Sequence, residues 1–426
     1  MSNVCVIGVG RIGLPVAVTL ARAGHRVTGV DVNKELVSAI NAGNTAIEEP
    51  GLPELLSEVV ADGSLHAETE PVTADAFIVS VPTPIGSDGS PIMDYLDSAA
   101  SAVGRVLRPG NLVVLESTVP PGTTAGRFKN NLEQASELLF GEDFNIAHCP
   151  ERVLPGDILR EITDNDRIVG GLDEVSTSAA ATLYRSFVNA NLALTDATTA
   201  EIVKLSENIY RDVNIALAND LASVCDAIGA DIFQVIQMAN LHPRVNIHSP
   251  GPGVGGYCIP VASRFLLADK PADAPVIQAA RRVNSERPQR TVDAALAALN
   301  HVSDPRVAVL GVAYKGGVGD ARDSPASDII DGLTGAGAIV SAYDPFATAA
   351  DFERPLVSFD DALRGADMAV VVTDHPQFRD IDAEAAGRLM RTKLVFDPRS
   401  ALNHGSWEAA GFRFVSMGAA PQGQGL

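Results

Sequence analysis

The chain opens on a short apolar run, Val4–Gly8, that passes without a break into Gly8-Val-Gly10-Arg-Ile-Gly13 and then into a helical stretch, Leu14–Ala23. No other stretch constrains the fold as tightly. Gly8 permits a tight turn, Gly10 lets the backbone approach a pyrophosphate, and Gly13 lets helix and strand pack closely. The helix N-terminus then offers free N–H groups to phosphate. A second run, Arg26–Asp31, ends in an acid where a carboxylate can hold a ribose 2′-hydroxyl. Strand, glycines, helix, strand and acid in this order predict a dinucleotide-binding Rossmann unit. A carboxylate at Asp31 repels a 2′-phosphate, so NAD is favoured over NADP.

Apolar, β-branched runs continue at Ala76–Val81, Leu112–Glu116, Asn145–Cys149 and Arg167–Gly170. With helical patterns between several of them, they read as a parallel α/β sheet. From Thr198 the period changes. Ile202, Leu205, Ile209, Val213 and Leu217 recur every three to four residues, predicting a long amphipathic helix. A Gly/Pro-rich loop, Ser249–Gly256, follows, and then more helix to about Asn300. Strand–helix alternation resumes at Arg306, with strands at Val307–Leu310, Ile339–Tyr343, Met368–Val372 and Leu394–Asp397. Val4–Gly13 is echoed by Val307–Gly316, with Ala313 where the first copy has Gly10. A chain of 426 residues is expected to hold two or three domains. The pattern predicts an α/β fold of two Rossmann-like doubly wound domains, residues 1–197 and 304–426, joined by a central helical dimerisation region, 198–303. The Gly/Gln-rich end from Ala419 is expected to fray.

Composition narrows the function classes. Asp+Glu number 53 against 32 Lys+Arg, a formal net charge of −21, which disfavours nucleic acid and anionic membranes as partners. An apolar content of 46% with 20% charged residues excludes disorder as the main state. No run approaches the roughly 18 to 20 apolar residues that cross a bilayer. Four cysteines cannot form the disulfide framework of a small secreted domain, so reduced thiols and a cytoplasmic location are expected, with no metal site.

Two further stretches carry chemistry. Lys204 and Asn208 are four residues apart, on one helix face offset from the apolar stripe. By themselves they also fit a solvated polar face. The loop Ser249-Pro-Gly-Pro-Gly-Val-Gly-Gly-Tyr-Cys258-Ile-Pro260 places bare backbone N–H groups where an anion or sugar could bind. Cys258 just after these glycines is a candidate nucleophile, although a lone Cys in an apolar setting is more often an inert core thiol.

Taken together, these residues resemble the UDP-glucose/GDP-mannose dehydrogenase family of nucleotide-sugar 6-dehydrogenases, over nearly the whole chain. The likeness is carried by Gly8–Gly13, Glu49-Pro-Gly-Leu52, Val81-Pro-Thr83-Pro84, Glu116-Ser-Thr118-Val-Pro-Pro-Gly-Thr123 and Cys149-Pro-Glu151-Arg-Val-Leu-Pro-Gly156. It continues through Lys204 and Asn208, the Cys258 loop, and Lys315 to Asp320-Ala-Arg322-Asp-Ser-Pro325. Lys204–Ala216 and His242–Gly256 are most similar to the branch that oxidises UDP-N-acetyl-D-mannosamine. The resemblance implies oxidation of a sugar C6 alcohol to a carboxylate with two NAD. In it, Cys258 forms a thiohemiacetal and then a thioester, and Lys204 and Asn208 stabilise an oxyanion. Thr118 and Glu151 fall at water-positioning and nicotinamide-side positions; without the motif they read as a turn threonine and a surface acid. The cofactor would meet Gly8, Gly10, Arg11, Ile12, Gly13, Asp31, Thr83, Thr118 and Arg322. For the UDP-sugar the resemblance implies Glu151, Arg152, Val153, Leu154, Lys204, Asn208, Asn246, Gly251, Gly253, Gly255, Lys315 and Arg399. Arg244 would complete the site of a neighbouring subunit in a homodimer or higher homo-oligomer. For each cation the plainer alternative is a surface salt bridge.

The likeness breaks at one informative place. Four residues after its nucleophile the family usually carries an Asp; here the stretch is Val261-Ala262-Ser263-Arg264-Phe265. Ala262 cannot polarise water or take a proton, and Arg264 adds a charge nearby. Smaller departures are Arg11, where an aromatic is usual, and Gly319, where an acid often precedes Asp320. Two rival readings follow: a 6-dehydrogenase for UDP-N-acetylglucosamine or UDP-glucose, and a nucleotide-sugar binder or one-step oxidase that lost full catalysis with the Asp. Glu151 is a possible substitute base.

Overall fold

A computed structural model describes residues 1–86, 88–154, 156–268 and 274–415, so the end of the chain from Ala419 lies outside the described residues. The chain forms two compact units. One is Met1–Glu207 with a segment that begins at Arg264; the other takes the chain from Asn208 onward.

The first unit is built on β1 (Asn3–Ile7), β2 (Arg26–Val30), β3 (Leu65–Glu68), β4 (Ala76–Val79), β5 (Leu112–Leu115), β6 (Asn145–His148), β7 (Arg167–Gly171) and β8 (Leu192–Asp196). They form one sheet in the order β3-β2-β1-β4-β5-β6-β7-β8. Side chains alternate across it as a strand requires: Val4 and Val6 join the core on one face, Cys5 and Ile7 that on the other. The chain leaves β1 toward β2 and later returns beside β1 as β4. The crevice beyond their C-terminal ends is therefore the topological switch point, where open α/β sheets bind ligands. One pairing differs from the parallel sheet expected. β7 runs antiparallel to β6, with Ala147 opposite Gly171. The connection between them, residues 149–166, carries one short helix, Ile158–Asp164.

The second unit holds β9 (Arg306–Leu310), β10 (Ile339–Tyr343), β11 (Met368–Val371), β12 (Leu394–Phe396) and β13 (Arg413–Val415). They form an all-parallel sheet in the order β10-β9-β11-β12-β13. Its switch point lies between β9 and β11, and each face has its own core. The unit also contains helices Ile232–Ala239 and Pro275–Ala298.

The long helix is Ala197–Ile228, and its buried face is only in part the one its apolar spacing predicts. Leu205 and Ile209 are buried, but Ile202 is 41% and Leu217 47% exposed. The buried face carries small apolar residues, among them Ala200, Ala216, Ala218 and Ala222, interleaved with five polar ones: Glu201, Lys204, Asn208, Asp212 and Asn219. Burial of these polar groups is offset by hydrogen bonds and, for Lys204, an ion pair, described next. Among the described residues, no helix is long and apolar enough to cross a membrane.

Candidate active site

In the first unit the glycine turn follows β1 as its sequence requires. Gly8 takes φ +86°, and a Cβ there would lie 2.5 Å from the Ser80 carbonyl oxygen. A Cβ on Gly13 would stand 1.8 Å from the Gly8 oxygen, so only glycine lets the helix Gly13–Arg22 start this close to the turn. Gly10, by contrast, is exposed, and a Cβ on it would meet nothing within 4 Å. Its open backbone fits the approach of a pyrophosphate, and no acidic side chain stands in the helix's first turn to compete for the N–H groups. Arg11 is exposed and Ile12 half-buried beside them. Asp31 follows β2, half-buried, accepting from the Val9 amide at 3.3 Å and the Asn33 amide at 3.0 Å. Thr83 and Thr118 are joined: Thr83 Oγ1 donates to the Thr118 carbonyl at 2.7 Å. Ser117 Oγ ties the same two loops together, accepting from the Val81 amide and donating to its carbonyl.

Lys204 is only 7% exposed and reaches Glu151, Nζ to Oε2 3.7 Å. Neither is a solvated surface charge. Glu151 also accepts from the Val153 amide. His148, at the end of β6, is fully buried with no hydrogen-bond partner for either ring nitrogen. Burial, and then the charge of Lys204, lowers its pKa to about 3, so the ring is neutral. Arg152 is engaged with Glu207 at 2.5 Å and with the Asp166 carbonyl at 2.6 Å, and Leu154 is exposed. Glu49 of the Glu49-Pro-Gly-Leu52 stretch accepts from the amides of Gly156 and Ile158, fixing the start of helix Ile158–Asp164.

In the second unit Cys258 stands at the head of helix Cys258–Leu267. Of the four cysteines it is the exposed one. Burial pushes the Cys5 thiol up to about 11 and raises Cys149 and Cys225, which leaves those three inert. Asn208, 2% exposed, donates from Nδ2 to the Cys258 carbonyl at 3.2 Å, and its oxygen accepts from Arg211. These two bonds fix the amide's orientation. Ala262 is completely buried, and Arg264 is exposed. Ser263 donates to the buried Asp212 at 2.8 Å, which also accepts from Arg281 at 2.9 Å and Asn284 at 2.8 Å.

The glycine loop is held on several sides. The Gly251 amide donates to Asn219 Oδ1 at 3.0 Å and its carbonyl accepts from Arg287 Nε at 3.1 Å. The Arg399 guanidinium lies against Gly251, where a Cβ would come within 3.1 Å of it. Gly253 and Gly255 lie against Pro325, and Gly256 against the ring of Tyr314. Lys315 is exposed on the loop after β9. Arg322 is paired with Asp320, Nη2 to Oδ2 2.6 Å, and interacts electrostatically with Cys258. Arg244 and Asn246 are exposed in the loop after helix Ile232–Ala239.

Two groups went unread in the sequence. Glu201 accepts from the Gly122 amide, the Thr124 amide and the Thr124 hydroxyl, fastening the loop after β5 to the long helix. No motif announces it. Asp344 and His375, fully buried behind the Lys315 loop, are the other. The echo of Gly8–Gly13 in Gly311–Gly316 was a signal for Asp344, since both repeats continue to a strand that ends in Asp.

The first sheet, with its glycine turn and the acid that follows β2, is that of an NAD-linked oxidoreductase. Sequence models of the UDP-glucose/GDP-mannose dehydrogenase family match this chain in all three parts: the NAD binding domain at residues 2–188, the central domain at 198–286 and the UDP binding domain at 308–404. The chain belongs to this family. NAD is its cofactor, and a nucleotide sugar is its substrate class. The UDP-N-acetyl-D-mannosamine dehydrogenase of Methanococcus maripaludis is 43% identical over 98% of this chain and 97% of its own. The NDP-N-acetyl-D-galactosaminuronic acid dehydrogenase of Ralstonia nicotianae is 42% identical over 96% of each. Among solved structures, UDP-D-ManNAc dehydrogenase from Pyrococcus horikoshii superposes with a TM-score of 0.92 at 40% identity, covering 98% of this chain and 99% of its own.

Proposed function

We propose that the protein oxidises the C6 alcohol of a UDP-N-acetylhexosamine, UDP-N-acetyl-D-mannosamine in particular, to the uronic acid in two steps. The observation that carries this reading is Cys258, the exposed one of four cysteines, at a helix head and bound through its carbonyl by Asn208. Relatives that bear the mannosamine name, at 40–43% identity over nearly the full chain, support the sugar.

NAD, held at the glycine turn Gly8–Gly13 and by Asp31, would supply the hydride acceptor for each oxidation. The C6 hydroxyl loses its proton as the first hydride leaves, and Lys204 and the Asn208 amide stabilise the developing oxyanion. The Cys258 sulfur then adds to the aldehyde carbon, forming a C–S bond and a thiohemiacetal. Departure of the second hydride from that carbon, with loss of the hydroxyl proton to solvent, leaves a thioester. Water adds, the C–S bond breaks, the thiol regains its proton and the carboxylate is released. Glu151, ion-paired with Lys204, is our assignment for activating this water. Arg244, Lys315 and Arg399 would hold the diphosphate, with Arg152, Val153, Leu154, Asn246 and the loop glycines around the sugar.

Ala262 makes hydrolysis the exposed step. A buried methyl stands where the family carries Asp, so acyl-enzyme should accumulate on Cys258. The test is NADH formed per sugar consumed, with intact-protein mass during turnover. Two NADH with a sugar adduct on Cys258 is the expected result, and Ala262→Asp should raise turnover about ten-fold or more. One NADH with free aldehyde and no adduct would establish a one-step oxidase. Rates with UDP-N-acetylglucosamine and UDP-glucose alongside test the sugar, and binding without NADH production from any of them would leave a pure binder.

We also propose a homodimer. Tyr210, Leu217 and Val224 recur every seven residues on the long helix and are exposed, as are Val235, Met238 and Leu241 after it. Such an apolar seam needs a partner, and a second copy of this chain fits it. The divisions after residues 197 and 303, and a cytoplasmic location, belong to the same reading.

A further inference from the structure

The two nucleotide-binding sheets share a detail beyond their glycines. In the first, the Gly8 amide donates to the Val30 carbonyl and the Val9 amide to Asp31 Oδ2. In the second, the Gly311 amide donates to the Tyr343 carbonyl and the Val312 amide to Asp344 Oδ2 at 2.7 Å. Asp344 thus stands where Asp31 stands, at the position of a ribose-binding acid. Their surroundings differ. The Asp344 side chain is completely buried, and it accepts from the amides of Val312, Ala313, Phe346 and Ala347 and from His375 Nε2 at 3.0 Å. Burial alone would raise its pKa, but the bonds from His375 and the amides outweigh this and hold the carboxyl well below its ordinary range.

The tautomer of His375 follows from its contacts. The Gly317 amide donates to Nδ1 at 3.2 Å, so Nδ1 is an acceptor and Nε2 carries the proton that goes to Asp344. The ring therefore joins Asp344 to the far end of the loop 311–317. Its neighbours at the end of β11 grip the rest of that loop. Thr373 Oγ1 donates to the Ala313 carbonyl at 2.6 Å, and a Cβ on Gly316 would lie 2.3 Å from the Asp374 oxygen. The carbonyl of Val372, just before them, accepts from Arg399 Nε at 3.2 Å. One short stretch, Val372–His375, thereby fixes the backbone on both sides of Lys315 and the guanidinium of Arg399. Tyr314, on the same loop, packs on Gly256, two residues before Cys258.

We propose that Asp344 and His375 are positioning residues: the acid has left ribose binding and, through the imidazole, struts the loop that presents Lys315 to the diphosphate of a nucleoside diphosphate. The inference rests on the reading of Lys315 and Arg399 as diphosphate ligands.

The test is calorimetric titration of UDP, and separately of NAD, into the full-length protein and its His375→Ala and His375→Asn variants. Loss of the Gly317 tether should weaken UDP binding roughly ten-fold in His375→Ala. His375→Asn sets an amide oxygen near the place of Nδ1 and should recover part of it, and should serve alone if the alanine variant does not fold. NAD affinity should stay at the wild-type value, and KM for the sugar nucleotide should rise more than kcat falls. UDP affinity equal to wild type in both variants would overturn the proposal, as would parallel loss of UDP and NAD binding, the sign of general damage. Failure of the unaltered protein to bind UDP would instead overturn the substrate reading beneath it.

Discussion

Asp31 and Asp344 end equivalent strands, but one is half-buried beside an open glycine and the other is sealed under five donors. Residue identity was legible in the sequence; the surroundings that decide its use were not. The same holds for the cysteines, where Cys258 was separable from Cys5, Cys149 and Cys225 only by its glycine-rich context. His148 carried no motif of its own, and its burial yields a prediction. Its folded pKa is lowered to about 3, by burial first and by Lys204 second. In the unfolded chain the imidazole takes up a proton near pH 6.5. Between those values the unfolded state binds a proton that the folded state refuses, so stability is lost as pH falls through 6.5. At pH 5.5 this amounts to about 1.4 kcal/mol. Urea unfolding of wild type and His148→Asn at pH 7.5 and 5.5 should show the difference moving by about that amount in favour of the variant at the lower pH. An unchanged difference would mean that His148 charges freely in the fold.

Elements were legible where their cores are apolar on both faces. The central strands of both sheets were read to within a residue or two, because their buried runs are nearly continuous. β3, β8 and β13 were missed for the complementary reason. β3 alternates buried and exposed residues, β8 is largely exposed, and β13 spans three residues at the sheet edge. The long helix was found by its apolar period, but its buried face was read only in part: Leu205 and Ile209 are buried, whereas Ile202 and Leu217 give way to alanines and to hydrogen-bonded polar residues. Glu201 is the best measure of what those polar residues do. Its carboxylate satisfies the amides of Gly122 and Thr124 and the Thr124 hydroxyl, all from the loop that follows β5. Glu201→Ala leaves these donors without it and should cost about 2–4 kcal/mol. Glu201→Gln keeps one acceptor oxygen and should cost about half as much. Hydrogen exchange should locate the effect: the amides of Gly122 and Thr124 should lose protection in both variants, more so in the alanine one. Protection unchanged at both amides would show that the loop is held by other contacts.

For the whole molecule, a net charge of −21 opposes any anionic substrate, so the cations that meet a diphosphate must be concentrated where it binds. Lys315 and Arg399 are gathered by one strand end in the second unit, whereas Arg244 lies on a separate exposed loop. It is the family resemblance that assigns Arg244 to a neighbouring copy. The exposed seam of Tyr210, Leu217 and Val224 supplies the means of bringing the copy in, and Leu217→Glu should shift the protein toward monomer in sedimentation analysis. The sharing of sites is then decided by complementation. A chain with Arg244→Ala keeps Cys258, and a chain with Cys258→Ala keeps Arg244. If Arg244 serves its partner, each hybrid dimer regains one intact site, and random mixing should restore about a quarter of wild-type activity from two inactive preparations. If Arg244 serves its own chain, every site in the hybrid carries one of the two lesions. Mixed preparations would then stay inactive even after mass spectrometry of differentially tagged chains shows that subunits have exchanged, and the shared site would have to be abandoned.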